Sequence, residues 1–142
     1  MFYFGEYHLA LDDKFRMRVP NKLKAMLGED YAICAGTDHC LFLMTLKQFN
    51  DLFGDVAEDT PFNKTAKQEA IRKLSSTVLI PEEDAQGRFV LPSKLKAYCG
   101  IKKKVVFLGA LNRIEIWSEE LYNEKYALDK VDINQVVEEL KI

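Results

Sequence analysis

Displaced by 72 positions, the chain falls on itself. Asp12 meets Asp84, Arg16 meets Arg88, Pro20 meets Pro92, Lys22-Leu23-Lys24-Ala25 meets Lys94-Leu95-Lys96-Ala97, and Gly28 meets Gly100. That is eight identities in seventeen aligned positions, where background frequencies of roughly 5–7% per residue type give about one. One inserted residue then carries the displacement to 73, so that Gly36 falls on Gly109 and Leu41–Met44 on Ile114–Trp117. The chain is therefore two copies of a unit of about fifty residues plus a connector. A unit that small closes no good core alone. The two must interlock into a pseudo-two-fold body.

Each copy reads as two β-hairpins around a short helix, an α+β class. An extended lead-in (Phe2–Leu11; Thr77–Ile80) runs into a polar turn and a second strand (Phe15–Val19; Arg88–Leu91). Pro20 and Pro92 fit the first turn of a helix, and Gly28 and Gly100 suit its end, which predicts helices over Asn21–Leu27 and Ser93–Cys99. A second hairpin follows, Tyr31–Ala35 with Leu41–Met44 and Lys104–Leu108 with Arg113–Trp117. Thr45 with Gln48 reads as a capping box, and Ser118 with Glu119 and Glu120 as another helix start. The division expected is 1–55 for the first unit, 56–75 for a connector helix opened by Thr60-Pro61, 76–130 for the second unit, and 131–142 for a C-terminal helix. That last helix is capped by Asp132 and Gln135, with an apolar face of Ile133, Val136, Val137 and Leu140.

The formal net charge of −2 hides a strong pattern. Residues 119–142 hold seven acids and three bases. Five bases and no acid lie between Lys14 and Gly28, and seven bases and no acid between Ala85 and Ile114. Local fields of this kind bind polyanions whatever the total charge, although a lysine run is also the ordinary dress of a solvated face. The repeated element is Asp-x-x-x-Arg-x-x-x-Pro, at Asp12, Arg16 and Pro20 and again at Asp84, Arg88 and Pro92. An arginine just past a tight turn presents a planar fork that suits phosphate oxygens or O6 and N7 of guanine. An aspartate four residues earlier can bond the turn backbone and aim the guanidinium, or simply pin the hairpin. Lys14 and Arg18 flank Arg16 and suit phosphate. Arg18, two residues on along a strand, faces the same way as Arg16. Lys22 sits in the first turn of a helix, where free N–H groups also favour phosphate.

Other chemistry is poorly supplied. The three cysteines, Cys34, Cys40 and Cys99, form no CxxC pair and read as free thiols in a reducing cytosol. Cys34, His39 and Cys40 lie close together, but a structural zinc needs four ligands at recognisable spacings, so no metal and no cofactor is expected. There is no HExxH, GxSxG, Walker A or GxGxxG motif, and no enzyme and no small-molecule substrate is expected. Trp117, Tyr122, Tyr126 and Phe49 could stack bases or pack a core. The match of these positions across the repeat favours packing. No apolar run approaches the ~20 residues of a membrane span, and Met1–Glu6 has neither a basic nor a long apolar stretch, so neither membrane nor secretory signal is expected.

The residues that carry a resemblance are Met1-Phe2 with Gly5-Glu6-Tyr7, Asp12 and Arg16 with Val19-Pro20, Gly36, Asp38 and Cys40-Leu41, Asp84 and Gly87-Arg88 through Pro92, and Asn112-Arg113-Ile114-Glu115-Ile116-Trp117. Together they resemble the MraZ family of bacterial transcription regulators, from Met1 to about Tyr126. The resemblance implies a duplicated AbrB-like fold, a swapped-hairpin β-barrel with peripheral helices. It implies sequence-specific binding to G-rich direct repeats upstream of the division and cell-wall gene cluster. It also implies ring-shaped homo-oligomers of octamer or dodecamer type in the cytoplasm, at the nucleoid. By motif, Arg16 is the DNA-reading arginine and Arg88 its counterpart, with Lys14 the basic turn residue. Asp12, Asp84 and Gly87 shape the turns. Phe15 departs from the family, which usually has glycine there, so the first turn is expected to differ in geometry from the second, glycine alone reaching φ > 0 freely. One extra residue stands near Tyr3-Phe4. The competing reading is a non-catalytic oligomeric adaptor that uses the basic hairpins on an acidic protein partner or on single-stranded RNA.

Overall fold

A computed structural model describes residues 2–59, 62 and 64–142. Met1 and the expected Thr60-Pro61 helix start lie outside them. The elements are β1 (Glu6–Ala10), β2 (Arg16–Arg18), α1 (Asn21–Leu27), β3 (Tyr31–Ala35), β4 (Leu41–Thr45), α2 (Leu46–Glu58), α3 (Thr65–Ser75), β5 (Arg88–Val90), α4 (Ser93–Cys99), β6 (Lys104–Gly109), β7 (Ile114–Ser118), α5 (Glu119–Tyr126) and α6 (Ile133–Leu140), with a 3-10 turn at Leu128–Lys130. The fold is α+β. α1 and α4 have the bounds read from the repeat, but Pro20 and Pro92 stand just before the helices, as N-caps. The Pro20 carbonyl accepts from Leu23 and Lys24 N–H, and a missing proline N–H costs nothing there. The lead-ins are shorter than expected. The first is β1 with one bridge at Tyr3, and the second is reduced to a single bridge between Leu79 and Ile33. Thr45 and Gln48 form the full capping box, Ser118 accepts from Leu121 N–H, and Asp132 from Gln135 N–H.

The two copies pair with each other about one axis. β2 runs antiparallel to β5 with Met17 opposite Phe89, its own repeat equivalent. β4 runs antiparallel to β7 with Phe42 opposite Glu115, again its equivalent. The five-stranded antiparallel sheet has the order β1-β6-β7-β4-β3, so β1 of the first copy lies on β6 of the second. Leu79 of the second copy lies on β3 of the first. Each copy thus lends its leading segment to the other. The strands do not close into the expected barrel. Among the described residues they form one open sheet and a separate two-stranded ribbon, and the second lead-in makes one bridge on the β3 edge where the first makes a five-residue strand.

Strand alternation sorts the side chains. Leu41, Leu43, Ile114, Ile116, Val105 and Phe107 face a core shared with Met17 and Phe89 of the ribbon and with Leu23, Leu27, Leu95 and Cys99 of α1 and α4. Val106 and Trp117 face the other way, and pack with Cys40 and Tyr122 beneath α5. The Trp117, Tyr122 and Tyr126 rings meet at centroid distances of 5.4–6.4 Å, so this trio is packing. Phe49 stands apart and packs at a tilt against Phe53 within α2 (centroids 4.9 Å).

Candidate nucleic-acid interface

The two polar turns are held by the same bonds. Asp12 Oδ1 accepts from the backbone N–H of Lys14 and of Arg16 (both 2.9 Å), and Asp84 Oδ1 from those of Gln86 and Arg88 (both 2.9 Å). Each second oxygen takes the Nε–H of its own arginine, 2.7 Å in the first copy and 2.9 Å in the second. Those backbone bonds, and then the guanidiniums, hold both carboxyls below the usual carboxylate range. The turns therefore stay pinned at neutral pH, and their contribution to stability is full above the ordinary carboxylate range and is lost as pH falls through the lowered carboxyls.

Phe15 overturns the expected difference between the turns. Its φ is +59°, in the same left-handed region as Gly87 at +78°. Its N–H bonds the Asp12 carbonyl at 3.0 Å, as Gly87 N–H bonds that of Asp84 at 3.0 Å. A phenylalanine here carries strain of about 1–2 kcal/mol. Its ring meets the Lys96 ammonium 3.2 Å from the centroid, a cation–π contact that offsets part of that cost. Phe15→Ala keeps the strain and loses the ring contact, whereas Phe15→Gly loses both. Urea unfolding should therefore rank Phe15→Gly above Phe15→Ala by about 1 kcal/mol. The reverse order would remove the strain argument.

The ribbon sets the two turns side by side. Arg16 Nη1 reaches Asp84 at 3.9 Å, and Arg88 Nη1 reaches Asp12 at 3.9 Å, so two carboxylates and two guanidiniums form a ring of charge about the axis. Their side chains are a quarter to a third exposed, partly sheltered rather than projecting as the tip of a finger, because each is folded back onto its aspartate. Arg16, Arg88 and Asp12 line a groove of about 490 Å³ together with Arg18, Leu9, Asn21 and Gln86. Arg18 reaches across the copies to the Gln86 carbonyl (3.4 Å), and its stem runs 3.4 Å from where a Cβ on Gly87 would stand. The structure thus brings Arg16, Arg18 and Arg88 together. Lys14 and Lys22 are exposed but do not line the groove. Three guanidiniums against the one lining carboxylate, Asp12, leave the groove cationic. Planar donors of this kind take phosphate oxygens or a guanine edge.

Two further clusters hold the scaffold. Lys24 and Tyr31 both donate to Glu83 Oε2. Burial opposes the ionisation of Glu83, and these two bonds outweigh it, so its carboxyl lies below the usual range. The almost fully buried Glu115 accepts from Arg113 Nε–H (2.9 Å) and Trp117 Nε1–H (3.1 Å), while Arg113 lies 4.5 Å over the Phe42 ring. Sequence reasoning missed this lock. Its one trace is the spacing Arg113-x-Glu115-x-Trp117, which puts all three on one face of a strand. Cys34, Cys40 and Cys99 are buried, and burial pushes their thiols up to about 11, 12 and 12. Among the described residues no group of three or more potential metal ligands comes together. No helix there is long and apolar enough to cross a membrane.

Against families of known proteins, residues 2–72 and 80–139 match the model described as "MraZ protein, putative antitoxin-like". The chain belongs to the MraZ family. A "Transcriptional regulator MraZ" of Clostridium botulinum (strain Eklund 17B / Type B) is 40% identical over 125 residues, 86% of this chain and 87% of the relative. Those of Clostridium beijerinckii and Caldicellulosiruptor bescii are each 36% identical, over 138 and 143 residues. The alignments cover 97% of this chain in both cases, and 96% and 98% of the relatives. The matched stretches take in both Asp-x-x-x-Arg turns and α6 up to Glu139 of this MraZ chain.

Proposed function

We propose that the chain is a transcriptional regulator that binds double-stranded DNA at short G-rich direct repeats upstream of the division and cell-wall gene cluster. It works in the cytoplasm, at the nucleoid, as a homo-oligomeric ring. The convergence of Arg16, Arg18 and Arg88 in one groove carries this reading. The names of the relatives point the same way. In this reading Arg16 addresses a guanine edge and Arg88 supports it from the second copy. Lys14, Arg18 and Lys22 take phosphates, and Asp12, Asp84 and Gly87 hold the turns. The exchange of leading segments between units 1–55 and 76–130 supports an AbrB-like swapped-hairpin arrangement. The reading assigns no catalytic step and no cofactor.

Competition gel shifts test it. A duplex of the direct repeats upstream of the chain's own gene should win over scrambled duplex by about a thousandfold or more, and log affinity should fall linearly with log salt. Equal competition by scrambled duplex, or preference for single-stranded RNA, sinks the proposal.

A further inference from the structure

Two apolar surfaces of this chain lie open. The first is a groove of about 570 Å³ between α2 and α3, lined by Phe49, Phe53, Val56, Ile71, Leu74 and Val78 among others. Neither helix contributes a buried side chain, although they run for 13 and 11 residues. The repeat sharpens the point. Phe49 and Phe53 are the equivalents of Tyr122 and Tyr126, and in the second copy Tyr122 is covered, at 6% exposure. The second surface is α6, whose apolar side is largely bare: Val136 is half-buried, but Ile133 is 51% exposed, Val137 38% and Leu140 64%. An amphipathic helix left largely uncovered by the described residues and a groove that no described helix fills are two halves of one contact.

We propose that α6 of one copy docks in the α2/α3 groove of the next, and that this head-to-tail contact builds the oligomer. The inference rests on the assembly part of the proposed function and names its interface. Charge selects the occupant and its direction. The segment from residue 119 carries seven acids against three bases, while α3 carries Lys67, Arg72 and Lys73 against Glu69. At about 100° per residue, Glu139 flanks one side of the α6 apolar stripe, Asn134 flanks the other, and Glu138 lies opposite. The groove has Lys67 on its α3 rim and Asp55 and Asp59 on its α2 rim. Glu139 therefore faces Lys67, and the uncharged Asn134 faces the acids. A contact between two different patches of the same chain repeats from copy to copy, and closes into a ring when the rotation allows.

Light scattering on the full chain and on Val137→Asp and Ile71→Asp, each checked for its melting transition, reads the contact. Wild type should assemble, and both variants should fall to single chains. Val137 stands on an exposed helix, so its substitution leaves the core intact even if Ile71→Asp weakens α3. A tagged Val137→Cys chain mixed with an untagged Ile71→Cys chain should be joined by a short bis-maleimide, against a low background from the three buried native thiols. A wild type that assembles while both Asp variants keep its mass, or a pair that fails to cross-link, overturns the docking and leaves the DNA reading standing. A wild type that is itself a single chain overturns the assembly reading along with it.

Discussion

Arg16→Ala should weaken binding to the direct-repeat duplex by about tenfold to a hundredfold for each engaged copy, the loss of one bidentate base contact of about 1–3 kcal/mol. Copies gripping one duplex multiply that loss. Binding to scrambled duplex should change far less, because the phosphate contacts proposed for Lys14, Arg18 and Lys22 would remain. Arg88→Ala should do less than Arg16→Ala. Arg16 is flanked by Lys14 and Arg18, whereas the equivalents around Arg88 are Gln86 and Val90. The Arg16 variant keeps its turn, since the Lys14 and Arg16 backbone N–H groups still bond Asp12. Titrations of both variants on repeat and scrambled duplex measure the effects. An Arg16→Ala protein that discriminates as well as wild type ends the assignment of this groove.

Glu115→Ala should cost about 2–3 kcal/mol of stability. It leaves the buried Trp117 N–H without its acceptor and the Arg113 guanidinium without its charge partner. The figure is held below that of a fully buried pair because the Arg113 side chain is about a third exposed. Glu115→Gln keeps the shape and an acceptor oxygen, so its loss should be smaller. Urea midpoints at constant slope give both values. The damage falls where β4 meets β7, opposite Phe42, which is one of the places where the copies are joined. An Ala variant with an unchanged midpoint would show that the ladder is held by Leu41, Leu43, Ile114 and Ile116 alone.

The repeat made much of this legible. It placed α1 and α4 to the residue, because proline before a helix and glycine after it act locally. It placed the second hairpins within a residue or two, because their inward positions alternate. It was silent on which strand pairs with which. Arg16–Arg18 and Arg88–Val90 carry no local mark that each is the other's partner, since pairing is decided by the core that Met17 and Phe89 share. It also misjudged the first turn. Glycine at position 87 announced a left-handed residue, and Phe15 hid one, because backbone strain is set by the bonds Asp12 makes around it. The groove itself was half visible: adjacent positions suggested Arg16 and Arg18, but only the ribbon brings Arg88 beside them.

The axis through Met17/Phe89 and Phe42/Glu115 has a further consequence. Two identical halves would present the same face when turned over, and such readers suit palindromes. Here fusion into one chain has let the halves drift apart. Leu11 answers Glu83, Phe15 answers Gly87, and Arg18 answers Val90. The body therefore has a front and a back, and under the proposed DNA reading copies set down along a duplex in the same sense would meet the same letters in the same order each time.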